Sequence, residues 1–466
     1  MKKNISAAVL AFLLSSCSSE VLNTSPDSTK ITTNFYKDAD QLEQGVNATY
    51  GALQYDGQYQ LAMPTIGEIP SDNTFDEVPA NDSFTYGEFD FFTIQAKNDL
   101  LAKAWRDHYI GIQQANIVLN RITPVAMDSQ IKNYRIGEMK FLRALMYFDL
   151  VRIFGDVPLS TEETTNVNNY FGKGRNTTTE VYVFIVKELT EAVSLLPASV
   201  TQKGRATKGA ALGILAKVLI TNGKYNEAIP YLKQIENLGY SLLTDVNQIF
   251  SPTNKNNSEI IFDVQFASGI NANSEGNSAF QMFSPSGFVP GAKGHNLPTR
   301  EIYNMYPSKD KRRDAYIGLT PGGVPYTKKL VKTSDVIADS GSNVVVLRLA
   351  EVYLILAECY AQTGDTANAN IYVNKIKTRA GLDNVNISDK NTLLDEIAAE
   401  RRKELIGEGH RWFDLVRTGK AIEVMTKHFQ NTPGYSTAKI QQHNLIMPVP
   451  QGQINTDPSI KQNPGY

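Results

Sequence analysis

The chain has 466 residues, 42% of them hydrophobic and 20% charged, with a formal net charge of −2. That length can bury a large core, as one big domain or a few ordinary ones, and the composition is that of an ordinary globular protein. The near-zero charge argues against a nucleic-acid partner, and there is no Walker-type loop or dinucleotide fingerprint.

Residues 1–16 read as a targeting segment that plays no part in the fold. Lys2 and Lys3 form a charged start, and Ile5 to Leu14 is an apolar run too short to span a bilayer as a stable helix. Leu14-Ser15-Ser16-Cys17 then resembles a bacterial lipobox, in which the cysteine is acylated and becomes the mature N-terminus. Several acyl chains on one residue give firm anchoring where a single chain does not. With Cys17 lipidated, only Cys359 remains, so no intramolecular disulfide can form. Cys359 sits among Leu356, Ala357 and Tyr360 and reads as a buried, inert thiol.

Residues 17–37 are polar and read as a tether, followed by a helix over Asp38–Tyr55. Glu68–Phe92 is different. It carries Pro70, Asp72, Asn73, Phe75, Phe84 and Tyr86 with turn residues between them and no helical period. Long irregular connections of this kind tend to be functional. Asn98–Ile122 is an amphipathic helix whose stripe holds Leu101, Trp105, Tyr109 and Ile112, which assigns Trp105 to core. Tyr134–Phe154 is apolar on several faces and should be deeply buried. Thr177 and Glu180 form a capping-box signature for the next helix, which runs to Leu196 before Pro197.

An internal repeat follows. Leu212, Ala216, Gly223, Tyr225 and Ala228 mark one helix–turn–helix; Tyr353, Ala357, Gly364 and Ala369 mark another in the same register. The small residues fall where two helices touch and the glycine at the turn, which matches tetratricopeptide spacing. Two units do not make a stable solenoid alone, so the other long helices should complete the stack. Between the units, about residues 241–343, there is little helical signal. Ile261–Phe266 alternates as a short strand. A second loop-rich aromatic region follows with Phe280, Phe283, Phe288, His295 and Tyr326, and Ser308–Asp314 is a mixed charge run that reads as solvated surface. The fold class is therefore mostly α. Residues 38–466 form a single domain, a tetratricopeptide-like helical scaffold with a loop-rich, partly β insertion.

Near the C-terminus charge is dense. Leu394, Ile397, Arg401 and Leu405 fall at i, i+3, i+7 and i+11, which puts Arg401 on the buried stripe. A buried guanidinium needs a carboxylate partner, and Glu404, Glu408 and Asp414 are the nearby candidates. Gly407 and Gly409 break the helix, and Trp412, Phe413 and Leu415 supply a second apolar cluster. This reads as a buried ion-pair network around Arg401, Glu404 and Asp414, and as architecture rather than an active site.

Glu400-Arg401-Arg402-Lys403-Glu404, followed by Gly409-His410-Arg411-Trp412-Phe413-Asp414-Leu415-Val416-Arg417, resembles the C-terminal signature of the SusD/RagB family. The ending from Leu445 through Pro448, Pro450 and Asn463 to Tyr466 resembles that family's terminus. The lipid cysteine, the Leu22/Pro26 spacing after it and the Arg175–Pro197 segment match as well. The resemblance implies an outer-membrane lipoprotein facing the cell exterior. Such a protein binds a nutrient on a looped face and acts as a hinged lid on a SusC-like TonB-dependent transporter. It places ligand sites on an early loop and on the insertion between the repeats.

Sugar recognition needs flat apolar faces for the C–H side of the ring and planar polar groups for the hydroxyls. The candidate ligand-binding residues are Asp72, Asn73, Phe75 and Tyr86 from the early loop, and Phe280, Phe283, His295 and Tyr326 from the insertion. Members of the family that bind starch-like chains often present tryptophans, whereas here Trp105 and Trp412 are both assigned to core, so a more polar glycan or a peptide stays open as ligand. The alternatives are a periplasmic scaffold for protein partners and a glycoside hydrolase. No cofactor is expected, and the five histidines lack metal-ligand spacing. Carboxylate pairs for glycoside cleavage need only meet in space at about 5–10 Å, which any chain rich in acids can offer by chance, so no catalytic residue is assigned.

Overall fold

The computed structural model describes residues 35–466. The expectations for the signal segment, Cys17, Leu22 and Pro26 lie outside the described residues. The fold is mostly helical. Helix α1 spans Ala39–Ala52 and is capped by Asp38, whose Oδ1 accepts the Gln41 N–H at 2.8 Å. Helix α2 (Asp99–Arg121) starts at the cap Asn98, and α3 (Ser129–Phe154) at Asp128. Helix α4 (Thr178–Leu195) opens on the capping box formed by Thr177 and Glu180 and stops before Pro197.

Helices α5 (Lys208–Thr221) and α6 (Tyr225–Ile235) form the first repeat unit. Helices α7 (Leu349–Gln362) and α8 (Thr366–Arg379) form the second. Gly223 and Gly364 sit at the two turns with φ of 71° and 89°, a left-handed conformation that favours glycine. Ala216, Ala228, Ala357 and Ala369 are buried where the helices touch. Helix α7 packs on α6 and α8 and on α9 (Lys390–Glu404), while α1 to α5 pack consecutively, so one stack runs through both units. Helices α10 (Arg411–Arg417) and α11 (Ala421–Asn431) close its end.

The core follows the stack. From Phe141 to Phe154 nearly every side chain of α3 is buried, because α2 and α4 flank it. Trp105 and Trp412 are buried, each full burial of a large apolar side chain contributing about 1.5–3 kcal/mol. Cys359 is buried too, and burial pushes its thiol well up, as an inert core cysteine requires.

The strands are short and pair antiparallel in twos. They are β1 (Thr74–Phe75) with β3 (Leu297–Pro298), β2 (Ile260–Val264) with β6 (Val344–Arg348), and β4 (Ile317–Leu319) with β5 (Pro325–Thr327). The β2–β6 pair brings together the two ends of the long insertion. That insertion has a small core of its own, where Val246, Ile302, Tyr306 and Tyr316 gather around Ile406 from the C-terminal segment.

One expectation fails here. The run Ser308–Asp314 is not simply solvated surface, since Asp310 and Arg312 are both buried. Asp310 caps the turn by accepting the Arg312 N–H at 3.0 Å and binds its guanidinium as well, while Glu400 and Glu404 arrive from α9 at 2.9 and 3.1 Å. The partners that allow burial lie about ninety residues away in sequence, so local charge density gave no sign of it.

Candidate functional site

The two aromatic loop regions, some two hundred residues apart, lie side by side. The β1–β3 pair starts the junction, with Phe75 opposite Leu297. Glu77 N–H donates to the Gly294 carbonyl at 2.8 Å, Asn81 Nδ2 to the Lys293 carbonyl at 2.8 Å, and Ser286 N–H to Glu77 Oε2 at 2.7 Å. Lys293 pairs with Asp82 at 3.2 Å. Below these contacts His295 reaches both Asp76 and Asp82.

Three rings come to the surface of this junction. Phe84 is 38% exposed and Phe288 43%. Tyr326, half-buried on β5, lies 5.7 Å from Phe288 between ring centroids. A glycine makes room for it: a Cβ on Gly318, its partner across β4, would fall 2.3 Å from Tyr326 Cζ. Phe84 is presented by a turn in which Asp82, Ser83 and Phe84 all have positive φ, at 49°, 59° and 65°. Sparsely populated backbone states cost about 1–3 kcal/mol each and persist only where their surroundings over-determine them, often at binding sites.

There is also an open cleft of about 800 Å³, bounded by the end of α1, the turn at 55–60, α2 and the loop 266–276. The volume falls within the range of small-ligand sites. Tyr55, 40% exposed, and Ile110 supply apolar surface, and Gln54, Gln60, Arg106 and Gln114 supply planar polar groups. The turn is irregular, with Gln58 at φ −120° and ψ −125°. It is held where Gly57 N–H donates to Asp107 Oδ2 at 3.0 Å and Gln60 Nε2 to Asp56 Oδ1 at 2.6 Å. Asp56 of the cleft wall also acts on the loop region, since the Tyr86 phenol is raised by burial first and then by Asp56, Asp82 and Asp76. Sequence reasoning missed this wall. The only signal was two tyrosines alternating with Asp, Gly and Gln just past a helix end.

Of the eight candidate ligand residues, Phe75, Phe280 and Tyr326 are partly exposed, and Asp72, Asn73, Tyr86, Phe283 and His295 are buried. These five lie behind the surface, which corrects their placement as ligand contacts. Asp72 is held by Arg411 at 2.8 Å and Arg402 at 3.1 Å. Burial would raise its carboxyl, but those guanidiniums bring it down to about 2. Asn73 accepts from Arg402 Nε at 2.7 Å and donates to Glu68 at 3.3 Å. Both tie the early loop to α9 and α10. Phe283 is core, and Tyr86 and His295 stack on each other beneath the exposed turn.

The C-terminal charges form two centres. Arg401 is buried and donates to Asp414 at 3.0 and 3.1 Å. Asp414 also takes Arg417 Nε at 2.8 Å, and Arg417 clasps Glu358 at 2.5 and 2.7 Å. Glu404 belongs to the other centre and does not partner Arg401. It sits among Arg312 at 3.1 Å, Arg348 at 2.6 Å and Arg379. Burial alone would raise Glu404, yet the three guanidiniums hold it well below the usual carboxylate range. Glu408 is shared by Arg348 and Lys329. Every carboxylate of these centres is already engaged.

Among the described residues no group of His, Cys, Asp or Glu is arranged to hold a metal ion, and no helix is long and apolar enough to cross a membrane. The loop face can hold a ligand by stacking and hydrogen bonding.

Residues 314–466 match the family model described as the SusD family. Residues 20–220 match one described as starch-binding associating with outer membrane. A SusD-like protein of Formosa agariphila is 27% identical over 98% of each chain. The starch-binding protein SusD of Bacteroides thetaiotaomicron is 24% identical over 76% of each chain. A solved laminarin-binding SusD-like protein is 30% identical, with a TM-score of 0.79 over 92% of this chain and 100% of its own.

Proposed function

Because the chain belongs to the SusD/RagB family, we propose that it is a surface lipoprotein that captures an oligosaccharide at the outer membrane and passes it to a SusC-like TonB-dependent transporter. The observation that carries the binding reading is the junction of the two loop regions, which exposes Phe84 and Phe288 and leaves Tyr326 half-buried against Phe288. Phenyl and phenol rings offer flat apolar faces to the C–H side of a sugar, and side-chain amide and guanidinium groups of the kind that line the cleft, Gln54, Gln60 and Arg106, are the planar polar groups that meet hydroxyls. Both tryptophans are buried, so stacking falls to these smaller rings.

A second reading, a peptide ligand, is favoured by the charged wall of the cleft. Asp56, Asp107 and Glu275 there outnumber the one guanidinium, Arg106. Calorimetry of the mature protein with laminarin oligosaccharides, maltooligosaccharides and a peptide library separates the two. Binding of peptides with no glycan binding would replace the first reading by the second. Anchoring through Cys17 is tested by Cys17→Ser, which should release the protein from the membrane fraction. Passage to a transporter is tested by co-purification from outer membranes, where recovery without any β-barrel partner would count against it.

A further inference from the structure

The loop face is pinned at one buried point. His295 is fully buried, with Nδ1 2.9 Å from Asp76 Oδ1 and Nε2 2.9 Å from Asp82 Oδ2. Its ring lies flat against Tyr86, with centroids 4.0 Å apart and planes 16° apart. Asp76 follows β1, and Asp82 opens the left-handed turn that presents Phe84. An ionised carboxylate only accepts hydrogen bonds. A neutral imidazole has one N–H and one lone pair, so it satisfies one of these carboxylates and turns a lone pair toward the other. Only the imidazolium donates to both. The surroundings are consistent with that state. Asp76 Oδ2 is buried without a hydrogen-bond partner, and among the described residues Lys293 is the one cation besides His295 that pairs with Asp82.

We infer that His295 is the positioning residue of the ligand face, and that it acts as an imidazolium whose two N–H groups lock the Asp82–Phe84 turn in place. This rests on the loop face being the ligand site. Without the second ring proton one bridge is lost, the turn relaxes and affinity falls. Asp90 and Tyr86 face the cluster too, and Asp56 and Asp99 act on Tyr86. Burial lifts Asp90, behind Asp76, to about 7, so it ionises as pH rises through neutrality. Tyr86 stays protonated, because burial raises its phenol.

The test uses the full mature protein labelled with ¹⁵N, from about pH 5 to pH 8. Ring-nitrogen shifts read the protonation of His295 separately from that of Asp90. Backbone amide shifts of Ser83 and Phe84 read the turn without any ligand. Laminarin oligosaccharide is the calorimetric probe. Both ring nitrogens should carry protons at the acid end. Wherever the ring has given up one of them, the Ser83 and Phe84 amides should have moved and binding should be at least about tenfold weaker. Asp82→Asn removes the charge but lets a side-chain N–H meet a neutral ring, so both pH dependences should flatten. A neutral His295 throughout, a titration that leaves the Ser83 and Phe84 amides still, or wild-type pH dependence in Asp82→Asn overturns the inference. If the wild type binds no glycan at any pH, the proposed ligand class fails, while the shifts still decide the role of His295.

Discussion

The loop face and the C-terminal ion-pair centres both gather functional groups from distant parts of the chain, and they use them in opposite ways. Around Arg401 and Glu404 the carboxylates are buried and consumed by guanidiniums of the same molecule. At the loop face the polar groups are consumed underneath, by His295 and Asp82, while aromatic rings stay exposed above them. Under the proposed function, charge density marks architecture where the carboxylates are taken up by internal partners, and a binding surface is marked by what is left exposed.

The largest effect that could sharpen this contrast is on stability. Glu404→Ala removes the one carboxylate that Arg312, Arg348 and Arg379 share and should cost about 3–5 kcal/mol, read by denaturant unfolding. Arg401→Ala leaves Asp414 with only Arg417 and should cost on the order of 3 kcal/mol, while ligand affinity of the folded fraction stays unchanged. A normal melting temperature with lost binding in either variant would turn the network into a site and break the comparison.

Acid should dissolve the link between the early loop and the C-terminal helices. The Asp72 carboxyl is depressed from 3.8 to about 2 by Arg411 and Arg402 acting against burial. A depressed carboxylate gives stability that is full above its unfolded pKa and is lost as pH falls through its folded one. Asp72 should therefore contribute on the order of 2 kcal/mol above about pH 4, lost on the way down to about pH 2. Asp72→Asn should be less stable at neutral pH and nearly equal to wild type near pH 2, in unfolding followed by circular dichroism. The smallest effects belong to the exposed rings. Phe288→Ala and Tyr326→Ala should each weaken glycan binding by about 1.4 kcal/mol, a factor of ten, with little change in melting temperature.

The scaffold was legible in the sequence because its signals are local. Alanine at helix contacts and glycine at turns repeat at fixed spacing, and Thr177 and Glu180 announce a cap three residues apart. The burial of Arg401 was legible from its place on an apolar helical stripe. Burial decided by distant partners was not. Arg312 sits in a run of charge, and beyond its neighbour Asp310 it is Glu400 and Glu404, from a distant helix, that complete its burial. His295, Tyr86 and Asp72 have ligand-binding chemistry, but they face partners on other segments rather than solvent. Phe84 and Phe288 stood in the right loops, yet which ring of a loop points outward depends on backbone such as the left-handed Asp82–Phe84 turn. The cleft wall at Tyr55–Gln60 carried no motif because an irregular turn has no period to detect.

The central claim is that binding belongs to the exposed rings and stability to the buried charges. Its most direct test is titration calorimetry of laminarin and maltooligosaccharides against wild type, Phe84→Ala, Phe288→Ala and Arg401→Ala, with melting temperatures measured on the same samples. Binding should weaken about tenfold at unchanged melting temperature in the two phenylalanine variants, and Arg401→Ala should show a lowered melting temperature at unchanged affinity. Wild-type affinity in both phenylalanine variants, with binding abolished in a normally stable Arg401→Ala, would contradict it.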